Sequence, residues 1–359
     1  MAPKFHTLTV SDIHPESNDS VTVGFDVPAA LQAEFAFQPG QYLTLRTTID
    51  GQDLRRSYSI SSALGAKGLT VGVRRVQDGI FSGYVNDSLK VGDCLQVMTP
   101  DGRFIAKAGL AARYLLVAAG SGITPMMAIA ESVLAAHPKA EVTLVYGNRT
   151  TESVMYRSAL EQMKDRYMGR FTLIHILSRE EQDIPLLNGR IDAGKVAALT
   201  HAGAIDPAGS DGVFLCGPGE MIDDVTAGLA ALGVDGGLVH FERFTPAEGS
   251  APRKAPSAKA RKAASHGASV EVILDGVRKS FQLEDAEESV LDAAHRAGLE
   301  LPFSCAGGMC CTCRCKVVSG TSEMAVNYSL EKWETEAGFT LACQTRATSD
   351  KLVLDFDAS

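Results

Sequence analysis

Apolar and polar residues alternate along the first part of the chain, in short runs separated by Gly, Asp and Pro. Alternation with a period of two is typical of strands that bury one face, since successive side chains point to opposite sides. The runs are Val21–Val27, Tyr42–Arg46, Leu69–Arg74 and Cys94–Met98. We predict no helix of ordinary length between them, so residues 1–111 are expected to form an antiparallel β-barrel.

The pattern changes over residues 112–244. Short continuous apolar runs, which are typical of strands buried on both faces, alternate here with stretches of helical periodicity. The apolar runs are Tyr114–Ala119, Val142–Tyr146, Phe171–Leu177 and Val213–Cys216. The helical stretches are Pro125–Ala136, Ser153–Tyr167 and Met221–Leu232. Alternation of strand and helix predicts a doubly wound α/β domain around a parallel sheet.

Residues 245–268 carry almost no large apolar side chain. Such a segment buries too little apolar surface to offset the entropy that is lost when it becomes ordered. We therefore predict a mobile linker. Its basic character serves solubility or, alternatively, docking to a partner. Its cations are Arg253, Lys254, Lys259, Arg261 and Lys262.

The last segment, residues 269–359, opens with a predicted hairpin. Val270–Leu274 alternates, Asp275 and Gly276 supply the turn, and the chain returns to Phe281. A helical pattern over Glu287–Gly298 follows and leads into a run of cysteines. This order predicts a small α+β domain.

Cysteine spacing is the strongest chemical signal in the chain. Four cysteines fit the pattern C-x4-C-x2-C followed by a distant Cys, namely Cys305, Cys310, Cys313 and Cys343. This is the spacing of a plant-type [2Fe-2S] ferredoxin, in which four thiolates complete the coordination of two irons. A disulfide knot or a zinc site is the alternative, although zinc sites usually pair short C-x2-C repeats. The frame selects Cys310 over Cys311, and we expect Cys315 to pack as a small apolar side chain.

Length, composition and charge limit the classes of function. With 359 residues, of which 45% are hydrophobic, the chain is long enough for three domains. A net charge of −9 argues against nucleic acid as a partner. The chain has neither a run of eighteen apolar residues nor an apolar signal segment, and its clustered cysteines suit a reducing compartment. We expect a soluble, cytoplasmic protein without a membrane partner.

Two glycine-bearing turns follow strands of the predicted parallel sheet. One contains Gly120, Gly122 and Thr124, and the other contains Cys216 and Gly217. Both stand at carboxyl ends of strands, where ligands bind in such sheets. Glycine allows a tight turn and the approach of a phosphate, and Thr124 is the expected N-cap of a helix whose free amides would meet that phosphate. An ordinary strand-to-helix turn is the alternative.

Three motifs of the first segment together resemble the flavin-binding barrel of the ferredoxin-NADP reductase superfamily. They lie at residues 39–43 (PGQYL), 56–61 (RSYSIS) and 78–82 (DGIFS). The resemblance implies FAD, or FMN in its place. It implies that Arg56 binds the flavin pyrophosphate, that Tyr58 packs on the isoalloxazine and that Ser59 hydrogen-bonds near N5, which accepts hydride. Further phosphate contacts are implied at Arg74, or Arg75 in its place, and at Ser82.

The same resemblance implies the other half of the redox site. The turn at Cys216 and Gly217 would face the nicotinamide, with the thiol beside its reactive carbon. Glu242 and Phe244, after the last strand, would lie against the flavin. The alternatives are that Cys216 is a small buried apolar residue and that Phe244 anchors the edge of the domain.

The choice of nicotinamide depends on the residues that follow two neighbouring strands. Arg149, Ser178 and Arg179 resemble the superfamily's contacts to the 2′-phosphate of NADPH, which favours NADPH. NADH stays open, because an acid can bind the free ribose hydroxyls. The candidate acids are Glu180, Glu181 and Asp183.

A flavin barrel, a nicotinamide domain and a C-terminal ferredoxin, in this order, resemble the reductase components of multicomponent oxygenases. The resemblance implies that electrons from NADPH reach a terminal oxygenase partner one at a time. Local likeness at residues 5–10, 55–59, 146–150, 327–331 and 354–358 implies the diiron oxygenase that epoxidises phenylacetyl-CoA. A Rieske-type ring hydroxylase or a steroid hydroxylase is the alternative partner. A non-enzymatic electron carrier or redox sensor is the alternative class.

Overall fold

The computed structural model describes residues 4–244 and 253–358, which form two compact units, one over residues 5–244 and one over residues 253–358. The first unit contains an antiparallel sheet followed by a parallel sheet, and the second contains a mixed sheet. The predicted fold class is thereby confirmed. In the described part of the chain, no helix has the length and apolar character needed to cross a bilayer.

The antiparallel sheet has six strands in the order β4-β3-β6-β1-β2-β5. They are β1 (Phe5–Ser17), β2 (Ser20–Asp26), β3 (Tyr42–Ile49), β4 (Gln52–Ser59), β5 (Leu69–Arg74) and β6 (Cys94–Met98). A bridge between Ile60 and Val71 joins the two edges, so the sheet closes into the predicted barrel. Alternate side chains fill its interior, among them Leu8, Leu43 and Val97.

One helix of the barrel domain contradicts the sequence prediction that no helix of ordinary length interrupts the strands. Helix α1 (Ile80–Asp87) lies between β5 and β6. Its Gly, Ser, Asn and Asp residues have low helix propensity, so the sequence does not predict this helix. The helix is stabilised by tertiary packing, because Phe81 and Val85, one turn apart, are buried in the barrel core.

The parallel sheet has the strand order β11-β10-β7-β8-β9. Its strands are β7 (Arg113–Ala119), β8 (Glu141–Asn148), β9 (Phe171–Leu177), β10 (Gly212–Gly217) and β11 (Val239–Arg243). The helices are α2 (Ile123–Ala136), α3 (Arg157–Arg166), α4 (Ala193–His201) and α5 (Gly219–Ala231). Separate apolar clusters cover its two faces, with Leu116 in one and Leu115 in the other. This two-sided burial explains the continuous apolar runs.

The second unit is built on the mixed sheet β13-β12-β18-β14-β16, with β15 paired to β17 beside it. Its strands are β12 (Ala268–Leu274), β13 (Val277–Leu283), β14 (Arg314–Ser319), β15 (Ser322–Met324), β16 (Phe339–Leu341), β17 (Thr345–Ala347) and β18 (Lys351–Asp355). The helices are α6 (Ala258–Ser265), α7 (Val290–Arg296) and α8 (Lys332–Glu336). The predicted hairpin is β12 and β13, paired in register up to the turn.

The prediction of a mobile linker over residues 245–268 is wrong for the part that the structure describes. Residues 245–252 lie outside the described chain. Helix α6 begins beside Ser257, whose side chain accepts a hydrogen bond from the Ala260 amide, and it buries Ala260, Ala263 and Ala264 in the core of the second unit. Alanine has the highest helix propensity and packs closely, so the lack of large apolar residues does not prevent folding here.

Candidate functional site

Three of the predicted catalytic residues meet at one point of the first unit. Ser59 ends strand β4 of the barrel and its hydroxyl donates to Glu242 Oε2 at 3.2 Å. Glu242 lies in β11, in register with Cys216 on the neighbouring parallel strand β10. The structure therefore joins the barrel motif and the glycine-turn motif through a single carboxylate, as expected for groups that serve one reaction.

Burial controls the protonation of this group of side chains. It raises the pKa of Glu242 to about 7, although the hydrogen bond from Ser59 acts in the opposite direction. Cys216 is fully buried, and burial followed by the negative charge of Glu242 raises the pKa of its thiol well above the usual value. Cys216 is therefore a neutral thiol near neutral pH, whereas Glu242 exchanges a proton in that range.

Cys216 and Phe244 also have packing roles. Cys216 belongs to the apolar cluster on one face of the parallel sheet, together with Phe214 and Met126. Phe244 is half-buried and packs against the same cluster. Its position agrees with an anchor at the edge of the domain, and its contact with a flavin stays a prediction.

Arg56, Tyr58 and helix α1 form a cradle that fits a flavin diphosphate. The Arg56 side chain is exposed, donates to the Arg55 carbonyl at 2.7 Å and has no ion-pair partner in the described chain. The ring of Tyr58, two residues along the same face of β4, lies with its centroid 6.0 Å from that of Phe81 in the first turn of α1. A guanidinium and free helix amides that flank one aromatic ring suit a flavin with its phosphates.

Of the two arginines at the end of β5, Arg74 is the one directed to the turn after β7, which contains Gly120. Its Nε donates to Asp19 at 2.9 Å, and its Nη1 would stand 3.1 Å from a Cβ atom at Gly120. Both arginines form an ion pair, Arg74 with Asp19 and Arg75 with Asp87 at the end of α1, but only Arg74 also reaches the turn at Gly120. This contrast favours Arg74 over Arg75 as a phosphate ligand.

Ser82 is present at the predicted place, but its hydroxyl is engaged in the turn before α1. It accepts a hydrogen bond from the Val76 amide at 3.0 Å and donates to the Gly79 carbonyl at 3.2 Å. The Ser82 hydroxyl is thus engaged within the chain, and its contact with a phosphate stays a prediction.

The two glycines of the turn after β7 have different roles. Gly120 has a φ of +55°, which the turn requires. A Cβ atom at Gly122 would stand 2.1 Å from the Cys216 carbonyl oxygen, so this glycine allows the two turns to approach each other. Thr124 is not the N-cap, since α2 begins at Ile123 and the Thr124 hydroxyl donates to the Ser121 carbonyl.

The residues predicted to choose the nicotinamide lie side by side. The Arg179 amide donates to the Arg149 carbonyl at 2.8 Å, and both guanidinium groups are exposed without an ion-pair partner in the described chain. The Ser178 hydroxyl donates to the Asn148 carbonyl at 3.3 Å. Glu180, a candidate for NADH, accepts hydrogen bonds from the amide and the hydroxyl of Thr151. Its carboxylate is thus engaged in holding the loop.

The four predicted metal ligands form two hydrogen-bonded pairs, Cys305 with Cys310 and Cys313 with Cys343. A zinc site needs all of its ligands around one ion, and in residues 4–244 and 253–358 no group of three or more candidate ligands is placed to hold one ion. In a two-iron cluster each iron takes two protein thiolates. The pairwise arrangement therefore fits a [2Fe-2S] cluster.

The loop around the first pair prepares a thiolate. The amides of Gly307, Met309 and Cys310 donate to Cys305 Sγ at 3.3, 3.5 and 3.4 Å. The bond from the Cys310 thiol, together with these amides, lowers the pKa of Cys305 to about 5 in spite of burial. A deprotonated sulfur surrounded by amide donors is what iron ligation requires.

The two extra cysteines, Cys311 and Cys315, have contacts of their own in the second unit. The Cys311 thiol contacts the Ser329 hydroxyl at 3.0 Å, which directs it away from the pairs. Cys315 is fully buried in the core of the second unit, where burial raises the pKa of its thiol. Both observations support the frame that selects Cys310.

Sequence reasoning missed the residues that brace the cysteine loop. The Gln344 side chain donates to the Ala306 carbonyl at 3.0 Å and to Cys343 Sγ at 3.6 Å. The Ser329 hydroxyl and the Tyr328 amide both donate to the Gly308 carbonyl. The only sequence signal for Gln344 is its place directly after Cys343.

Comparison with sequence families divides the chain as the structure does. Residues 7–105 match the oxidoreductase FAD-binding domain, residues 116–227 the oxidoreductase NAD-binding domain and residues 272–348 the 2Fe-2S iron-sulfur cluster binding domain. The predicted linker, residues 245–268, falls between the last two matches.

Relatives match the chain over nearly its whole length. It is 43% identical to one of the subunits of 1,2-phenylacetyl-CoA epoxidase from Escherichia coli strain K12, over 99% of this chain and 98% of the relative. It is 34% identical to the ferredoxin reductase component of 3-ketosteroid-9-alpha-monooxygenase from Rhodococcus rhodochrous, over 97% and 96%. The solved structure of phthalate dioxygenase reductase shares the fold, with a TM-score of 0.58, 22% identity and 98% coverage of both chains.

Proposed function

We propose that this chain carries electrons from NADPH to the oxygenase subunits of a phenylacetyl-CoA epoxidase. The premise is that the chain belongs to the FAD- and NAD-binding reductases with a C-terminal [2Fe-2S] ferredoxin domain. It is the electron-transfer reductase component of an oxygenase. The observation that carries the proposal is the meeting of Ser59, Glu242 and Cys216, which brings both halves of a hydride-transfer site together.

The residues of the chain bind and orient the cofactors and exchange a proton beside them. When bound, FAD accepts hydride and the [2Fe-2S] cluster carries single electrons. Arg56 and the first turn of α1 hold the flavin phosphates, and Tyr58 supports the ring. Glu242 exchanges a proton near neutral pH, and its Oε2 accepts a hydrogen bond from the Ser59 hydroxyl, next to the position where the nicotinamide is expected.

The nicotinamide domain supplies the second set of contacts. The turn at Gly120 and the start of α2 receive the diphosphate, and Cys216 stays neutral beside the site. Arg149 and Arg179, whose guanidinium groups lack carboxylate partners in the described residues, favour NADPH through its 2′-phosphate. The engagement of Glu180 with Thr151 removes one of the acids that would favour NADH.

The ferredoxin domain holds the cluster. Cys305 and Cys310 would ligate one iron and Cys313 and Cys343 the other, and backbone amides are directed at the Cys305 sulfur. We place the protein in the cytoplasm, because clustered cysteines that ligate a cluster suit a reducing compartment.

The relative of 43% identity favours the epoxidase as the electron acceptor, and the relatives of 34% identity favour a steroid monooxygenase as the second candidate. The chain should be mixed with the other subunits of each system, NADPH and the matching substrate. We expect coupled oxygen consumption with the epoxidase subunits. Coupled oxygen consumption with the steroid monooxygenase alone would reject the epoxidase and make the steroid monooxygenase the favoured electron acceptor.

A visible spectrum tests the electron path within the chain. The purified protein should show both flavin and iron-sulfur absorbance, and both should bleach when NADPH is added under anaerobic conditions. Flavin that bleaches while the cluster stays oxidised would contradict the proposed path, and absence of either chromophore after reconstitution would contradict the assigned sites.

A further inference from the structure

The second unit is acidic except where it begins. Residues 269–359 contain fifteen acidic residues against eight Lys and Arg. The ten residues 253–262 contain no acid and five cations. We call these five cations the basic face. They are Arg253, Lys254, Lys259, Arg261 and Lys262.

The fold directs the basic face outward. Ala260, Ala263 and Ala264 attach helix α6 to the core of the second unit, which leaves the other side of the helix to solvent. All five cations are exposed. An ordered helix thus presents charge that a mobile linker would spread over many positions.

These cations also differ from the arginines in the rest of the unit in being unpaired. The other arginines pair as Arg278–Glu271, Arg296–Glu288, Arg314–Glu334 and Arg346–Glu287. Within the described chain no member of the basic face has a carboxylate at ion-pair distance. Glu323 binds the Ser257 amide at the start of α6 at 2.9 Å. An unpaired group of like charges creates a field that attracts an acidic surface.

Hydrogen bonds connect the basic face to the cluster loop. The Lys254 amide donates to the Ala325 carbonyl at 3.0 Å, and the Ala325 amide donates to the Gln344 carbonyl at 2.9 Å. The Gln344 side chain in turn donates to the Ala306 carbonyl and to Cys343 Sγ. A protein docked at Lys254 would therefore stand close to the ligands from which electrons leave.

We propose that the basic face docks an acidic surface of the electron acceptor, beside the cluster loop. This inference rests on the proposed function and deepens it by stating the charge of the partner surface. Complementary charge at such a site raises the rate of encounter and orients the acceptor, which is what single-electron transfer to a separate protein requires.

Charge reversal tests the inference in the full-length holoprotein. The variant Lys259→Glu/Arg261→Glu places acids in the first turn of α6, where the helix dipole favours them, so folding should persist. The matched control Lys279→Glu/Lys351→Glu changes the net charge equally at two exposed lysines of the same unit. The acceptors are the other subunits of the E. coli epoxidase, cationic cytochrome c and ferricyanide.

We expect the α6 variant to lose about tenfold in kcat/KM toward the epoxidase subunits at low salt, with the difference fading near 0.5 M NaCl as charges are screened. Its rate with cytochrome c should rise, and flavin reduction by NADPH in the absence of an acceptor should match wild type in both variants. Equal losses in the two variants, or no loss in either, would overturn the inference. Slower reduction of the cluster by NADPH without an acceptor would assign the face to electron entry and also overturn it.

Failure of the proposed function gives a different result. If wild-type protein reduces ferricyanide and cytochrome c but not the epoxidase subunits, the proposed acceptor is wrong. The rates with cytochrome c then test the basic face independently. A cationic acceptor should be reduced faster by the α6 variant than by wild type, and the control variant should not show this increase. An unchanged cytochrome c rate would reject the face.

Discussion

The hydroxyl of Tyr156 packs directly on Gly72, so closely that a Cβ atom at Gly72 would stand 2.3 Å from it. The same Cβ atom would lie 2.7 Å from Thr124 Cγ2 and 3.2 Å from Met155 Cε. Gly72 belongs to barrel strand β5, and the other three residues belong to the nicotinamide domain. The Tyr156 amide also donates to Glu16 of the barrel at 3.0 Å. This contact fixes the distance between the two domains.

We predict that Gly72→Ala slows hydride transfer about 100-fold while FAD stays bound. The added methyl group pushes the nicotinamide domain away from the barrel, and a displacement of about 1 Å costs this much in a site that depends on close approach. Flavin reduction by NADPH in a stopped-flow spectrometer measures the effect. Gly68→Ala is the control, since a Cβ atom there meets nothing within 4 Å. Equal rates for the two variants would reject the role of Gly72.

Glu242 should make stability depend on pH. Its pKa is about 7 in the folded chain and 4.5 in its ordinary state, so the folded chain binds the proton more tightly. The contribution of Glu242 to the free energy of unfolding is fully present below pH 4.5 and is lost as the pH rises through 7, by at most about 1.4 kcal/mol per pH unit. Glu242→Gln removes this loss. We expect the melting temperature of the variant, relative to that of wild type, to rise between pH 4.5 and about 7 and to stay level at higher pH.

The control for this measurement is Glu141→Gln, which changes an exposed glutamate at the start of β8. Its difference from wild type should not vary over the same pH range. A Glu242→Gln curve parallel to that of wild type would show that the carboxyl group titrates below the range and that its burial does not matter.

Local patterns were sufficient to predict the strands and the cluster ligands. The apolar runs identified the parallel strands because both faces of that sheet are buried. The local spacing of the cysteines predicts Cys305, Cys310, Cys313 and Cys343 as cluster ligands, and the structure brings these four residues into two pairs. The fold class was confirmed for the same reason.

Features that arise from tertiary packing were not predicted. Helix α1 depends on Phe81 and Val85 entering the barrel, and α6 depends on small alanines that fit a neighbouring sheet. The isolated glycine at position 72 is a sequence signal for close approach, but only the fold shows that Tyr156 is what approaches. The hydrogen bond of Ser59 to Glu242 joins residues 183 positions apart.

We predict that Arg179→Ala lowers the preference for NADPH over NADH by about 10- to 100-fold, since a charged hydrogen bond to phosphate contributes roughly 1.5–3 kcal/mol. The ratio of kcat/KM for the two coenzymes, with ferricyanide as acceptor, measures the change. Arg113→Ala, at the amino end of the central strand β7, should leave the ratio as in wild type. An unchanged ratio in Arg179→Ala would assign discrimination to other residues.

Cys310 and Cys311 differ in their contacts, and only Cys310 is expected to ligate iron. Cys310 pairs with Cys305, whereas the Cys311 thiol turns to the Ser329 hydroxyl at 3.0 Å. Cys310→Ser should therefore lose the cluster, because the hard hydroxyl ligates iron weakly in place of a soft thiolate. Cys311→Ser should keep the cluster with near-normal absorbance, since serine can still bond Ser329. Iron, acid-labile sulfide and visible absorbance of both variants, each normalised to bound flavin, measure the difference. A cluster retained in Cys310→Ser and lost in Cys311→Ser would move the ligand frame by one residue and would also require the loop to reverse the two side chains.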